Sequence, residues 1–307
     1  MGERLVSVCV LGGINLDYVV RTAALPAPGE TVAGRDLVTT PGGKAANQAV
    51  AAARFGASTR LLGAVGQDAA GAQMLAFLAS TGVDAAGVAR IQGHATGQAF
   101  ITLDALGRNT IVVAAGANAA YLDDRVRAAD LSGVRVMLTQ FEATLPAIEA
   151  LFRAPEAEDA VKILNAAPAI EEGAPLLPLA DIVIVNETEL ARFAGLDAPP
   201  ATRAAVSAAA RRLIARPDQT VIATLGAEGA LAVTGSDEIH APGRRTDVVD
   251  TVGAGDCFCG VLAAALAEGF GLERAMAYAN AAAAISVTRP GAAQSAPRRA
   301  EIDRAVG

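Results

Sequence analysis

At 307 residues the chain is long enough to bury a large core, as one sizeable α/β domain or two small ones. With 52% hydrophobic and 19% charged residues it has a globular composition, and a formal net charge of −7 argues against a nucleic-acid or anionic-membrane surface. Only two histidines occur, His94 and His240, so acid–base chemistry falls mainly to carboxylates. The three cysteines (Cys9, Cys257, Cys259) cannot make a disulfide framework and read as buried small hydrophobes in a reducing setting. Leu5 to Leu11 is too short for a signal peptide and no run reaches membrane-spanning length, so a soluble, cytoplasmic protein is expected.

In chain order, Val6 to Leu11 reads as a buried strand that ends at Gly12-Gly13. In the extended Ile14-Asn15-Leu16-Asp17 that follows, Asn15 and Asp17 point to one side. An amide and a carboxylate so placed can grip adjacent hydroxyls of a sugar, although turn capping is the plainer reading. Tyr18 to Arg21, Thr31 to Ala33 and Leu37 to Thr39 are short β-prone pieces. So are Ala99 to Leu103 and Thr110 to Val113, joined by a turn at Ala105-Leu106-Gly107-Arg108. Together they predict a small separate sheet, from about 16–40 and 95–114, that acts as a lid on a single domain spanning 1–307.

Pro41-Gly42-Gly43-Lys44 opens a helix to about Arg54. It is not a P-loop, because Val38 stands where the first glycine belongs and Ala45 follows the lysine. Lys44 and Asn47 share a face of its first turn. Apolar strands (Arg60 to Val65, Val134 to Thr139, Val161 to Leu164, Ile182 to Val185, Val221 to Thr224) then alternate with helices (Ala70 to Thr81, Thr144 to Phe152, Thr188 to Ala194, Thr202 to Ala215). That alternation predicts a mainly parallel sheet covered on both faces, a three-layer α/β/α fold whose ligands sit beyond the strand C-termini. Asn15/Asp17, Glu142, Asn165, Asn186/Glu189 and Gly226/Gly229 all fall at such ends, and five clusters point to a site. In Asn186-Glu187-Thr188-Glu189 the last acid could hold a hydrated Mg²⁺ or simply start a helix. Thr224-Leu225-Gly226-Ala227-Glu228-Gly229 is a tight turn able to approach a nucleotide.

Asp250-Thr251-Val252-Gly253-Ala254-Gly255-Asp256 stands between a β-type run, Thr246 to Val249, and a long Ala-rich helix beginning near Cys257. A glycine turn opening a helix aims free amides at an anion, here those of Ala254, Gly255 and Asp256. Asp256 beside them could take a proton from an attacking hydroxyl, or could be an ordinary helix-start residue. Beyond the helix, Pro290-Gly291 is expected to free carbonyls which, with the Asp250 carboxylate and the Ser295 hydroxyl, would suit a monovalent cation.

These stretches, with Pro28-Gly29-Glu30-Thr31, Gly42 to Val50 and Gly116-Ala117-Asn118-Ala119, resemble in order, from about Val8 to Ile302, the ribokinase (pfkB-type) carbohydrate kinases. The resemblance implies an ATP- and Mg²⁺-dependent kinase acting on the 5-hydroxyl of D-ribose, or a sister kinase for another sugar, sugar acid or nucleoside. It implies sugar contacts at Asn15, Asp17, Gly43, Lys44, Asn47 and Glu142, and Asp256 as base in the turn Gly253-Ala254-Gly255. It implies nucleotide contacts at Asn186, Thr224, Leu225, Gly226, Ala227, Glu228, Gly229, Gly255 and Asn280. A potassium loop at Asp250, Val252, Ser286, Arg289, Gly291 and Ser295, and a homodimer formed through the lid, are also implied. Ala45 (usually glycine), Ala166 (expected proline) and Asn280 (often histidine) depart from the pattern. The dinucleotide fingerprint of a Rossmann dehydrogenase fails, because Phe258 stands where its third glycine belongs.

Overall fold

The computed structural model describes residues 7–106 and 108–307; Val6, at the head of the expected first strand, and Gly107, in the expected lid turn, lie outside them. In chain order come β1 (Val8–Leu11), β2 (Asn15–Thr22), β3 (Gly34–Gly42), α1 (Lys44–Phe55), β4 (Thr59–Gly66), α2 (Ala69–Ser80), β5 (Val88–Ile91), β6 (Gly97–Leu103), β7 (Asn109–Ala114), α3 (Asp123–Arg127), β8 (Val136–Gln140) and α4 (Leu145–Phe152). The second half adds β9 (Val161–Asn165), β10 (Ile182–Asn186), α5 (Glu187–Phe193), α6 (Arg203–Leu213), β11 (Thr220–Thr224), β12 (Gly229–Val233), β13 (Glu238–Pro242), α7 (Ala254–Ala267), α8 (Leu272–Ser286) and α9 (Arg299–Val306).

Nine strands make one sheet in the order β13-β12-β11-β10-β9-β8-β1-β4-β5. It is parallel from β5 to β11 and closes with β12 and β13 antiparallel. Central β1 shows why both faces must be covered. Its sequence, Val-Cys-Val-Leu, has no polar side to offer water. Val8 and Val10 join one core cluster with Phe55, Phe258 and Leu262, while Cys9 and Leu11 join the other with Leu151 and Leu164. The three-layer α/β/α expectation is met.

Small residues set the spacing of the helices that matter most. A Cβ on Gly260 of α7 would stand 2.2 Å from the Gln48 carbonyl of α1, so only glycine allows this approach. Alanines on both helices (Ala45, Ala49 and Ala52 against Ala263 and Ala264) keep the rest of that contact thin.

The second sheet has the order β3-β2-β6-β7. β2 runs antiparallel to β3 and parallel to β6, and β7 closes it as an antiparallel edge.

Three expectations are corrected. Thr31 to Ala33 is not a strand; β3 starts at Gly34 and runs on to Gly42, so Pro41 and Gly42 belong to the lid sheet. Thr246 to Val249 is exposed irregular chain, with Val248 and Val249 more than half exposed, because no strand lies alongside to pair with it. The long Ala-rich helix is two helices, broken at Gly269 (φ 87°), and the first starts at Ala254 inside the glycine turn. All three cysteines are free and buried; burial pushes the Cys9 and Cys257 thiols up to about 12.

Candidate active site

The site forms where the C-terminal ends of β1, β8, β9, β10 and β11 meet the start of α7. α1 and α7 pack so closely that side chains from the first turn of α1 reach the first turn of α7. Asn47 Nδ2 donates to Asp256 Oδ2 at 2.8 Å, and Gln48 Nε2 donates to Asp256 Oδ1 at 3.1 Å. Asp256 is buried, yet both its oxygens hold an amide donor.

Around it the chain approaches too closely for side chains. Gly43, at φ 88°, caps α1; a Cβ there would lie 2.5 Å from the Gly13 carbonyl. Lys44 N donates to Glu142 Oε2 at 2.8 Å. Asn15 Oδ1 accepts from Asn118 Nδ2 at 2.8 Å, and Asn118 Oδ1 accepts from Ile14 N at 3.0 Å, so Asn118 fixes the bend between β1 and β2.

Two polar atoms on this side, Asp17 Oδ1 and Asn47 Oδ1, are buried with no hydrogen-bond partner. Buried acceptors without donors are rare, and these two mark where a polyhydroxyl ligand would supply them. Burial, with Glu142 and Asp256 adding to it, pushes the Asp17 carboxyl up to about 7. Burial also raises Glu142, against the Lys44 charge and amide, and Lys44 itself is raised, chiefly by Asp256.

On the other side of Lys44 and Asp256 lies a cleft of about 200 Å³ lined by Asn165, Asn186, Glu189, Thr224, Gly253 and Gly255, among others. Gly253 adopts φ 75° and packs on Ala292, where a Cβ would stand 2.8 Å away. Gly255 is different. A Cβ there would meet nothing within 4 Å beyond its own helix, so packing does not ask for glycine, and the position opens onto the cleft. The Ala254 amide is already bonded to the Thr251 carbonyl at 3.3 Å, correcting the expectation that three amides are free. Gly255 and Asp256 N–H have no backbone acceptor among the described residues. A larger hollow, about 440 Å³ and flanked by Arg60 and Tyr121, holds none of the orphaned buried polar atoms.

The structure does not gather every expected residue here. Leu225, Gly226, Ala227, Glu228, Gly229 and Asn280 are not on the cleft wall. Gly229 is glycine because β13 is close, a Cβ lying 2.2 Å from the Ala241 carbonyl. Asn280 Nδ2 donates to that same carbonyl at 2.8 Å, pinning the end of β13 to α8. Glu189 and Asn186 complete a capping box at α5, each bonding the other's backbone N–H at 2.8 Å. Glu189 still lines the cleft, and burial raises its carboxyl. Gln48, Gln140 and Asn118 escaped the sequence reading. Gln48 sits four residues after Lys44 on the same helical face, the signal that could have found it.

Behind the glycine turn, Asp250 bridges its two flanks, accepting from Val252 N and from Gly291 N, both at 3.0 Å. The carbonyls expected to be free are partly used. Val287 O accepts from Val249 N (2.7 Å) and Asp250 N (3.1 Å), and Ser286 O from Arg289 N (3.1 Å). Ser295 Oγ donates to Ala292 O at 2.7 Å, and Arg289 pairs with Glu301 rather than facing the loop. Arg54 of α1 holds the loop through the carbonyls of Ala293, Gln294 and Ala296.

A small sheet over a doubly covered sheet, with a carboxylate at a glycine turn between a polyol-type pocket and an amide-lined cleft, defines a sugar phosphotransferase. The sequence pattern of the pfkB family carbohydrate kinases matches residues 6–299, and the chain belongs to that family. It is 35% identical over 294 residues to a ribokinase of Haemophilus influenzae, covering 95% of both chains. Its fold matches a crystal structure of ribokinase from Thermotoga maritima with a TM-score of 0.87 at 32% identity, over 98% of this chain and 99% of the other. It also matches an Arabidopsis thaliana ribokinase complexed with ribose and ATP, with a TM-score of 0.85 at 28% identity over 99% of each chain.

Proposed function

We propose that this chain transfers the γ-phosphoryl group of ATP to the 5-hydroxyl of D-ribose, giving D-ribose 5-phosphate. The observation that carries the reading is Asp256, held by amides on both oxygens between the orphaned acceptors of Asp17 and Asn47 and the cleft bearing Gly255. Asp17 and Asn47 accept hydrogen bonds from the sugar, and Asn15, Gly43, Lys44 and Glu142 complete its pocket. Asp256 takes the proton of the hydroxyl as its oxygen bonds to phosphorus. Phosphoryl transfer has a loose transition state, so positioning and charge stabilisation dominate and an ordinary carboxylate suffices as base. The amides of Gly255 and Asp256 stabilise the charge on the transferred group. Asn186 and Thr224, both on the cleft wall, border the nucleotide. The small sheet serves as a lid that keeps water from the phosphoryl group.

Mg²⁺, when bound with ATP, withdraws charge from the phosphate oxygens. Glu189 is the carboxylate that would hold it through water; with Asp256 as the other acid on the cleft, so small a set suits an ion that keeps most of its waters. No group of three or more His, Cys, Asp or Glu able to hold a metal occurs among the described residues, so the donor set does not favour a protein-caged ion. A potassium ion is proposed behind the turn beside Asp250, whose two oxygens accept from the Val252 and Gly291 amides and would have to be shared with the ion. No helix among the described residues is long and apolar enough to cross a membrane, which agrees with a cytoplasmic enzyme of small molecules. The lid is the proposed dimer surface: Leu37, Val38, Phe100, Ile111, Val112 and Val113 are all about half or more exposed, too much apolar area for one small sheet to leave in water.

ADP release measured with ribose, 2-deoxyribose, fructose and a nucleoside, each with ATP, magnesium and potassium, tests the reading. Ribose should give the highest kcat/KM; turnover with another acceptor and none with ribose would replace it.

A further inference from the structure

Gln48 lies at the centre of a buried amide network whose polarity is fixed from two ends. At one end Gln140 Nε2 donates to the Leu11 carbonyl at 3.1 Å and to Gln48 Oε1 at 3.2 Å. At the other, Asn165 Nδ2 donates to the Ile184 carbonyl at 3.4 Å and Asn165 Oδ1 accepts from Gln48 Nε2 at 3.2 Å. A backbone carbonyl can only accept. Each end therefore demands the same orientation of Gln48, oxygen towards Gln140 and nitrogen towards Asn165 and Asp256. A flipped amide would set its oxygen against the Asp256 carboxylate and against Asn165 Oδ1, and its nitrogen against the nitrogen of Gln140.

The network is buried at its centre and built without slack. Gln48 and Gln140 are fully buried. Gln140 Oε1 rests over Gly12 with no partner, and a Cβ on Gly12 would come within 2.2 Å of it. So Gly12 provides the room in which Gln140 turns its nitrogen, not its oxygen, to Leu11.

We propose that Gln48, oriented by Gln140 and Asn165, is a positioning residue for the base, fixing the Asp256 carboxylate in its rotamer and presenting it with donors only. This rests on the reading of Asp256 as base. With Asn47 on the other oxygen, every amide that touches Asp256 gives a proton and none accepts one. One donor on each oxygen fixes the plane of the carboxylate, so its remaining lone pairs stay aimed where the hydroxyl would lie. The other titratable groups that act on Asp256 are Asp17, Lys44, Glu142, Glu189, Cys257 and Cys259, and none contacts Gln140 in the network.

The experiment is Gln48→Met, which keeps the volume and removes the amide, assayed across pH with thermal unfolding as a folding check. The expected result is a kcat lower by about 10- to 100-fold with KM for ribose and ATP within about threefold at every pH. Gln140→Met, which touches neither Asp256 nor substrate, should show a smaller loss in the same direction, and the double variant should be no slower than Gln48→Met alone. A folded Gln48→Met enzyme with more than half of wild-type kcat, or with KM values that rise as much as kcat falls, overturns the proposal. If Gln48→Met does not fold, Gln140→Met decides by the same two readouts. Asp256→Asn runs alongside: an active Asp256→Asn enzyme sinks the base assignment, whereas a dead one beside an unaffected Gln48→Met sinks only the positioning role.

Discussion

On the proposed reading Asp17 serves binding at the expense of stability, and Asp17→Asn should separate the two. The residue is 9% exposed, its Oδ1 has no partner, and its carboxyl is pushed from 3.8 up to about 7. Its folded pKa is raised, so below pH 4 both folded and unfolded chains carry the proton and the group is neutral in the balance. Between 3.8 and about 7 the unfolded chain releases the proton first, and folded stability falls as pH rises. Above pH 7 the full penalty applies, about 4 kcal/mol for a shift of this size. Asparagine carries no such penalty. Asp17→Asn should therefore be as stable as wild type near pH 4 and more stable above pH 7, by up to roughly 5–10 °C in Tm. The same change turns one of the two acceptor oxygens into a donor and removes the charge, so KM for ribose should rise by about 10- to 100-fold with KM for ATP little changed. Thermal unfolding at pH 4.5, 6 and 8, paired with steady-state kinetics, reads both effects. A Tm at pH 8 equal to or below that of wild type would refute the electrostatic reasoning, and equal rises in both KM values would refute the role at the sugar.

Asp256→Asn should lower kcat by about 10²–10⁴-fold while ATP affinity, measured by calorimetry, stays within a few-fold, because the Gly255 and Asp256 amides remain. Potassium should raise kcat over a large organic cation at equal ionic strength, and Asp250→Asn should abolish that response; equal rates in the two buffers would remove the ion from the account. Sedimentation at micromolar concentration should give a dimer, and Phe100→Arg with Val112→Glu should give a monomer; a monomeric wild type would count against the lid interface.

The fold was legible wherever a strand is buried on both faces. Val8 to Leu11 and Ile182 to Val185 have no polar residue to confuse the reading, and their ends located the site. β12 and β13 went unread because Gly229 resembled a nucleotide turn, while its real cause is the backbone of β13 passing beside it. Thr246 to Val249 misled for the opposite reason: β-branched residues favour a strand but cannot make one without a neighbour to pair with. At the site, the charged residues and the asparagines beside them (Asn15, Asn47, Asn165, Asn186) announced themselves, while Gln48, Gln140 and Asn118 did not. Gln48 and Asn118 act through partners about a hundred or more positions away, a relation no local spacing carries. The Asp250 loop was found from its acid and its Pro-Gly break, but which carbonyls stay free depends on Val249 and Asp250 turning their amides onto Val287.

β2 runs unbroken from Asn15 and Asp17 into the small sheet, 8 residues on one strand paired on both sides. The proposed lid and the proposed sugar grip are thus a single piece of chain, and they cannot be recombined as separate modules. Trimming the small sheet to make a minimal enzyme would cut into the strand that carries Asn15 and Asp17. A chimaera given the small sheet of another sugar kinase would take on that donor's sugar preference along with its cover, while Asp256 and the glycine turn, on a different helix, stayed with the host.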